Sequence, residues 1–455
     1  MKKIFIIHYS LIITLLAVVL WACGCERPQP QEEPDLSLIE QSVPVTNDWV
    51  WSGKPQITIH IVNKNAMAVK VETEVRISTD KKKEVMTLTD SVEVAGNGSL
   101  DALVTTPDNL EPGFYRAVCW VNGKSARSFV FAIDPFQIVS QPDKQPDFDE
   151  FWTKTKAQLA AIDMQANLIE IPEHSSAKRK VYLVELLSIP DGLSGEPVKI
   201  RGYYCEPQDG QKHPVIMHFY GYDTAGSTAK CECPFGDASE FAEFYLSHRG
   251  QYLNNRPAST GNPGMTEDCL NIYNSEWFAF NFGDKDSYYY RGAFMDVVRA
   301  VDFMGTRETS DMSHLFAEGS SQGGALSYAC AALSNYPLKA IAANVAFLGD
   351  FADGWDIGGL AGETARSCAK KLGLTDEQAL AFLSYFDIKN LATQISCAVM
   401  GSSGLQDDVC PPRTNVVPFN NLKTPEADKK YMWGPEMGHD YPKGWGPTAF
   451  FKQYL

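Results

Sequence analysis

The stretch FAEGSSQGGALSYACAAL, Phe316 to Leu333, sets Ser321 between Gly319 and Gly323 at the GxSxG spacing and runs on into an alanine-rich helical pattern. A serine hydroxyl attacks a carbonyl only when a base takes its proton and an acid orients that base. Its backbone must also turn sharply enough to present Oγ, which is why small residues are needed on both sides. Alone the pattern is weak, because glycine and serine are common. Of the eight histidines only His439 follows Ser321, in GPEMGHDYPKGWG, a Gly- and Pro-rich loop before a short terminal helix. SCAVMGSSGLQDDVCPP supplies a late strand ending near Gly401, with Asp407 and Asp408 beyond it. Neighbouring side chains on an extended segment face opposite ways, so only one of these two carboxylates can aim at the imidazole. His218, on an expected buried strand, reads as a satisfied core histidine.

The elements that must hold these residues alternate between strand and helix. RKVYLVELLSI and VKIRGYYCEP read as paired strands, HPVIMHFYG as a buried parallel strand, and HLFAEG as the strand feeding the serine. YYYRGAFMDVVRAVDFMGTR places Phe294, Val297, Val298, Val301 and Met304 on one helical face. This alternation predicts a layered α/β sheet with helices on both faces, in which a strand–turn–helix serine and the order Ser, acid, His belong to the α/β-hydrolase fold. The serine-loaded turn also precedes a helix N-terminus, which favours developing negative charge.

Upstream the texture is different. Ile57, Ile59 and Ile61 alternate with polar residues, as do Val69, Val71, Val75 and Ile77, and Asn122-Gly123 joins two further runs in a tight hairpin. Residues 36–135 are therefore expected to form a small all-β, immunoglobulin-like sandwich. It contains no catalytic constellation, so it reads foremost as a spacer, with glycan binding as the alternative. Every candidate catalytic residue lies beyond Phe136, and activity on small esters is expected to survive without the sandwich. PFQIVSQPDKQPDFDEFW marks the boundary and leads into an amphipathic helix around Trp152; residues 136–455 form the second domain.

MKKIFIIHYSLIITLLAVVLWACGC opens with Lys2 and Lys3, continues through an apolar run from Ile4 to Leu20 and ends in small residues. Residues 1–22 are expected to be a lipoprotein signal peptide, because Leu20-Trp21-Ala22-Cys23 resembles a bacterial lipobox with Cys23 as the acylated residue. Residues 23–35 then form a Pro- and Glu-rich tether. The expected location is an exported lipoprotein, periplasmic or anchored at the outer membrane or cell surface. A net charge of −16, from 40 basic and 56 acidic residues, argues against nucleic acid as a partner. Eleven cysteines are scattered rather than spaced as a framework. Cys231 and Cys233 form a CxC without a second pair, which reads as structural or disulfide-forming; no metal is expected.

GSSQGG, RGQ at Arg249 to Gln251, YYYRGAFMDVVRAVDF, GLQDDVCPP and GHD together resemble the motifs of the acetyl xylan esterase and cephalosporin C deacetylase family of α/β-hydrolases, from Phe136 to the C-terminus. The resemblance implies Ser321 as nucleophile and His439 as base. It also implies Asp407, three residues before Cys-Pro-Pro, as the acid, and backbone N–H donors to the oxyanion from Gln322 and Tyr222. Arg249, Gly250 and Gln251, with Gly319 and Gly323, are the supporting motif residues. The family's His-Gly-Tyr is Tyr220-Gly221-Tyr222 in this chain, and its His-Glu is His439-Asp440. The activity implied is cofactor-free removal of acetyl groups from acetylated carbohydrates such as xylan or xylo-oligosaccharides, and the family habit implies homo-oligomers. Two other readings fit the residues: a serine hydrolase for longer acyl chains or peptides, and a non-catalytic carbohydrate-binding lipoprotein.

Overall fold

A computed structural model describes residues 33–192, 195–222, 231, 233–251, 253 and 277–455. The expected signal peptide, Cys23 and most of the expected tether lie outside the described residues. Among those described, no helix is long and apolar enough to cross a membrane.

The N-terminal region is a sandwich of two sheets. One runs in the order β1 (Ile39–Ser42), β3 (Gln56–Asn63), β6 (Gly98–Thr105). The other runs β2 (Val50–Trp51), β8 (Lys124–Ile133), β7 (Gly113–Val121), β4 (Val69–Thr79), β5 (Glu84–Val94). The alternating Ile and Val residues of β3 and β4 all point inward and are buried. Asn122 and Gly123 both take positive φ, 47° and 74°, at the β7–β8 hairpin, the twist that matches right-handed strands.

The second region is built on a nine-stranded sheet among the described residues. Its order is β17 (Lys429–Gly434), β16 (Ala398–Gly404), β15 (Ala340–Asn344), β14 (Ser310–Ser320), β12 (His213–Phe219), β13 (Ala242–Ser247), β11 (Val198–Pro207), β10 (Arg179–Ser188), β9 (Asn167–Glu170). The six strands from β17 to β13 are parallel, and β11, β10 and β9 add an antiparallel edge. Strand β15, AIAAN, is buried throughout, as a parallel strand covered on both faces must be. The main core lies on one face, under α1 (Phe148–Ala160), α2 (Tyr289–Gly305) and α3 (Gln322–Leu333). On the other face Phe450 and Phe451 of the five-residue helix Pro447–Phe451 pack on Ile216, Phe316, Ala340 and Met400.

The sandwich is not a detached module. Leu405, Val416 and Val417 of the second region sit inside the sandwich's own hydrophobic cluster. Phe136, at the boundary, packs its ring on Phe419, Tyr431 and Trp433. Asp80 on the sandwich receives the Arg413 guanidinium at 2.6 Å, with both side chains largely buried.

Candidate active site

Three parts of the sheet's C-terminal edge carry the candidate residues: Ser321 follows β14, the 405–411 loop follows β16, and the 435–440 loop follows β17, with β15 between β14 and β16. This is the edge at which open α/β sheets place their ligands.

Ser321 has φ 59° and ψ −119°, a conformation a non-glycine residue holds only when its surroundings enforce it. The enforcing contacts are visible. Its N–H donates to the Asn344 carbonyl at 2.9 Å, and its carbonyl accepts from the Phe347 N–H at 2.9 Å. The two flanking glycines are needed for space rather than for φ. A Cβ on Gly319 would lie 2.4 Å from the Gly323 backbone, and one on Gly323 would lie 2.2 Å from the Phe219 carbonyl oxygen. The turn is thus wedged between β12 and its own helix.

The loop after β16 presents Asp407 and Asp408 to opposite environments. Asp407 is buried, and its Oδ2 lies 2.8 Å from Nδ1 of His439. Its Oδ1 accepts from the N–H groups of Val409 and Cys410, at 2.9 and 2.8 Å. Asp408 is exposed. Strand β16 runs to Gly404, three residues past the expected end at Gly401, which carries the acid clear of the sheet. Pro412 opens the helix Pro412–Asn420 and so ends the loop. Burial pushes the Cys410 thiol well above its usual range, so it stays neutral.

Asn344, at the end of β15, ties the pieces together. Its Nδ2 donates to Ser320 Oγ at 2.7 Å and to the Asp440 carbonyl at 3.1 Å, while its Oδ1 accepts from Ser402 Oγ. One buried amide therefore joins the serine turn to the histidine loop. Nothing in the sequence spacing marks it.

Gln322, first residue of α3, offers an N–H that has no acceptor within the helix. Its side chain is fully buried in a directed chain of hydrogen bonds. Tyr290 Oη donates to Gln322 Oε1 at 2.8 Å, and Gln322 Nε2 donates to His248 Nε2 at 2.7 Å. His248 therefore carries its proton on Nδ1, 2.9 Å from Tyr289 Oη, which donates in turn to the Arg249 carbonyl at 2.8 Å. Burial lowers the His248 pKa to about 4, so the ring is neutral and the chain keeps its direction at ordinary pH. Arg249 is itself locked by Asp296 of α2, with Nε at 2.9 Å and Nη2 at 2.7 Å from the two carboxylate oxygens. Gly292 of α2 admits the guanidinium, because a Cβ there would meet Arg249 Nη1 at 2.0 Å. The tyrosine-rich helix start and the RGQ segment are thus one scaffold under the residue after the serine.

The same segment reaches the other expected oxyanion loop: Gln251 Nε2 donates to the Gly221 carbonyl at 3.2 Å. Gly250, between the two anchoring side chains, has φ 82°. Tyr222 has its Oη 3.2 Å from the Phe278 N–H, and its ring packs on Trp277 at 5.0 Å and on Phe347 at 6.1 Å.

His218 is satisfied, and it is satisfied as a charged group. Burial alone would lower its pKa, yet hydrogen bonds from Nε2 to Glu243 at 3.1 Å and from Nδ1 to Glu318 at 2.7 Å raise it to about 9. Cys231 and Cys233 are buried, the first donating to the Tyr245 carbonyl and the second 3.0 Å from His174 Nδ1. Among the described residues no group of three or more His, Cys, Asp or Glu could hold a metal ion.

The acetyl xylan esterase (AXE1) family model matches residues 136–453, the whole of the nine-stranded region with its three loops. The chain belongs to the acetyl xylan esterase family. It is accordingly a carboxylic ester hydrolase of the α/β-hydrolase fold. The acetyl esterase Axe7A of Xylanibacter ruminicola is 24% identical over 393 residues, covering 85% of this chain and 84% of its own. Among solved structures, acetyl xylan esterase 1 from Thermoanaerobacterium sp. JW/SL YS485 superposes with a TM-score of 0.57 at 24% identity, over 70% of this chain and 98% of its own. The acetyl xylan esterase from Paenibacillus sp. R4 gives 0.54 at 24%, over the same shares. The match to Axe7A extends over more of this chain than either structure does.

Proposed function

We propose that the protein is an exported serine esterase that removes acetyl groups from acetylated xylan or xylo-oligosaccharides through an acetyl-enzyme intermediate. The observation that carries the reading is the 2.8 Å pair of Asp407 and His439 at the strand ends beside the strained turn of Ser321, within the span of the family match. His439 Nε2 takes the proton of Ser321 as Oγ attacks the acetyl carbonyl, while Asp407 holds the proton on Nδ1 and stabilises the imidazolium. The backbone N–H groups of Gln322 and Tyr222 receive the tetrahedral oxyanion, each worth about 3–4 kcal/mol by the usual cost of losing such a donor. Collapse expels the sugar hydroxyl, which takes its proton from His439. Water then repeats the sequence on the acetyl-enzyme and releases acetate, regenerating Ser321.

The test is a chain-length profile on p-nitrophenyl esters together with acetate release from acetylated xylan. The proposal expects acetate esters to be preferred over butyrate and longer chains, and acetate to leave the polymer. Preference for long acyl chains, or for peptides, with an inert polymer would replace it with another hydrolase specificity. As part of the same reading, Cys23 carries the lipid anchor and the enzyme works outside the cytoplasm as a homo-oligomer. Support comes from Lys2, Lys3, the apolar run to Leu20 and the tether, and from the family resemblance. Wild type should incorporate labelled palmitate and Cys23→Ala should not; equal labelling of both removes the anchor.

A further inference from the structure

Residues 405, 406 and 407 carry three different contacts in succession. Leu405 is buried in the sandwich's hydrophobic cluster. Asp407 faces His439. Between them, the Gln406 side chain pairs with the backbone of Val130 on strand β8 of the sandwich: the Val130 N–H donates to Oε1 at 2.9 Å, and Nε2 donates to the Val130 carbonyl at 3.0 Å. Strand β2 covers that edge of β8 only at Ala132 and Ile133, so the glutamine amide continues the ladder where β2 ends. The same Nε2 donates to the Pro435 carbonyl at 2.7 Å, and the Gln406 backbone N–H donates to the Met437 carbonyl at 2.9 Å. Pro435 and Met437 belong to the loop that carries His439.

One side chain thus meets the sandwich, the acid loop and the histidine loop at once. A second tie runs from the same strand, where Arg127 Nη2 lies 2.6 Å from Glu436 Oε1. Packing alone does not hold the acid loop on this side. A cavity of about 250 Å³ lies between it and the sandwich, lined by Tyr115 and Val130 on one side and by Gln406, Asp407 and Asp408 on the other. Where a loop borders a cavity, its position depends on its few polar ties.

We propose that the sandwich is a working part of the esterase: strand β8, acting through Gln406 as a positioning residue, sets the placement of Asp407 against His439. This replaces the expectation that the sandwich is a dispensable spacer, and it rests on the roles given above to Asp407 and His439. Misplacing a triad acid by about 1 Å costs on the order of a hundredfold in rate. Loss of the Gln406 amide should therefore lower kcat while leaving substrate binding alone.

The experiment is a double-mutant cycle in the full-length protein, with kcat and KM read on p-nitrophenyl acetate and the fold checked by circular dichroism. Gln406→Ala should lower kcat by about 10- to 100-fold with KM within about twofold. In an Asp407→Asn background, assayed at high enzyme concentration, the same change should cost less than about twofold, because a positioning residue has nothing left to position. Wild-type kcat in Gln406→Ala, a loss confined to KM, or an equal loss in both backgrounds would overturn the inference. If Gln406→Ala does not fold, Gln406→Glu, which keeps the acceptor for the Val130 N–H and loses both donated bonds, carries the same cycle and the same criteria. Failure of both to fold would also overturn it, making Gln406 a folding residue. If Asp407→Asn by itself turns over like wild type, the assignment of the acid fails instead.

Discussion

Replacing Asp407 by asparagine changes one carboxylate oxygen to an amide nitrogen at a side chain whose partners are Val409, Cys410 and His439. Oδ1 accepts two backbone N–H groups, from Val409 and Cys410, and an asparagine carbonyl is held in that position by the same pair. The amide nitrogen is then left 2.8 Å from His439 Nδ1, where the carboxylate had accepted a proton. Two donors cannot face each other there, so the imidazole must accept at Nδ1 and carry its proton on Nε2. In that tautomer it cannot act as a base toward Ser321. By analogy with other triads the loss is about ten-thousandfold in kcat, or roughly 5.5 kcal/mol of transition-state stabilisation. The fold should be little affected, because both bonds at Oδ1 survive and the volume is unchanged. Asp408→Asn, at an exposed position, should stay within a few-fold of wild type. Turnover of p-nitrophenyl acetate beside circular dichroism reads both variants. A crippled Asp408→Asn with a near-normal Asp407→Asn would refute the argument.

Arg249 and Asp296 form a fully buried pair, so Arg249→Met leaves a carboxylate without its partner and should destabilise the protein by about 3–5 kcal/mol, read by thermal or urea unfolding. Arg249→Lys should not rescue it, since one ammonium cannot reproduce the two-pronged contact; full rescue would contradict the geometry. His218 gives a pH signature: with its pKa raised from the usual 6.5 or so to about 9, its charged form stabilises the fold fully below about pH 6.5, and that contribution fades as pH rises through about 9. His218→Gln should therefore be less stable than wild type by up to roughly 3 kcal/mol near pH 6, with the gap closing by about pH 10; a gap independent of pH would show that the imidazolium is not the cause.

What the sequence made legible follows from the range of each interaction. The period-2 alternation around Ile57 and Val69 and the Asn122-Gly123 turn are local, and the strands and hairpin lie where those signals put them. The serine turn was readable because strand, glycines and helix start fall within a dozen residues. Asp407, His439 and Ser321 could be ordered along the chain, but their convergence depends on β14, β16 and β17 ending at one edge of the sheet. Helix α2 shows the limit. Its apolar face was visible in Phe294, Val297 and Val301, whereas Asp296 and Gly292 gain their meaning from Arg249, which the chain brings in from another loop. Gln406 is the extreme case, because its partner Val130 is 276 residues away and no spacing rule connects them. Asn344 likewise ends an apolar strand, where one polar residue carries no periodic signal. The sandwich looked separable because its sequence texture differs, but Leu405, Val416 and Val417, which complete its core, are ordinary apolar residues in helix and loop positions.

The most direct test of the account is to trap the acyl-enzyme. Wild-type protein mixed with p-nitrophenyl acetate, quenched rapidly in acid and digested for mass spectrometry, should carry one acetyl group on the peptide containing Ser321, and Ser321→Ala should carry none and release no acetate from acetylated xylan. Acetylation of another residue, or near-normal turnover by Ser321→Ala, would contradict it.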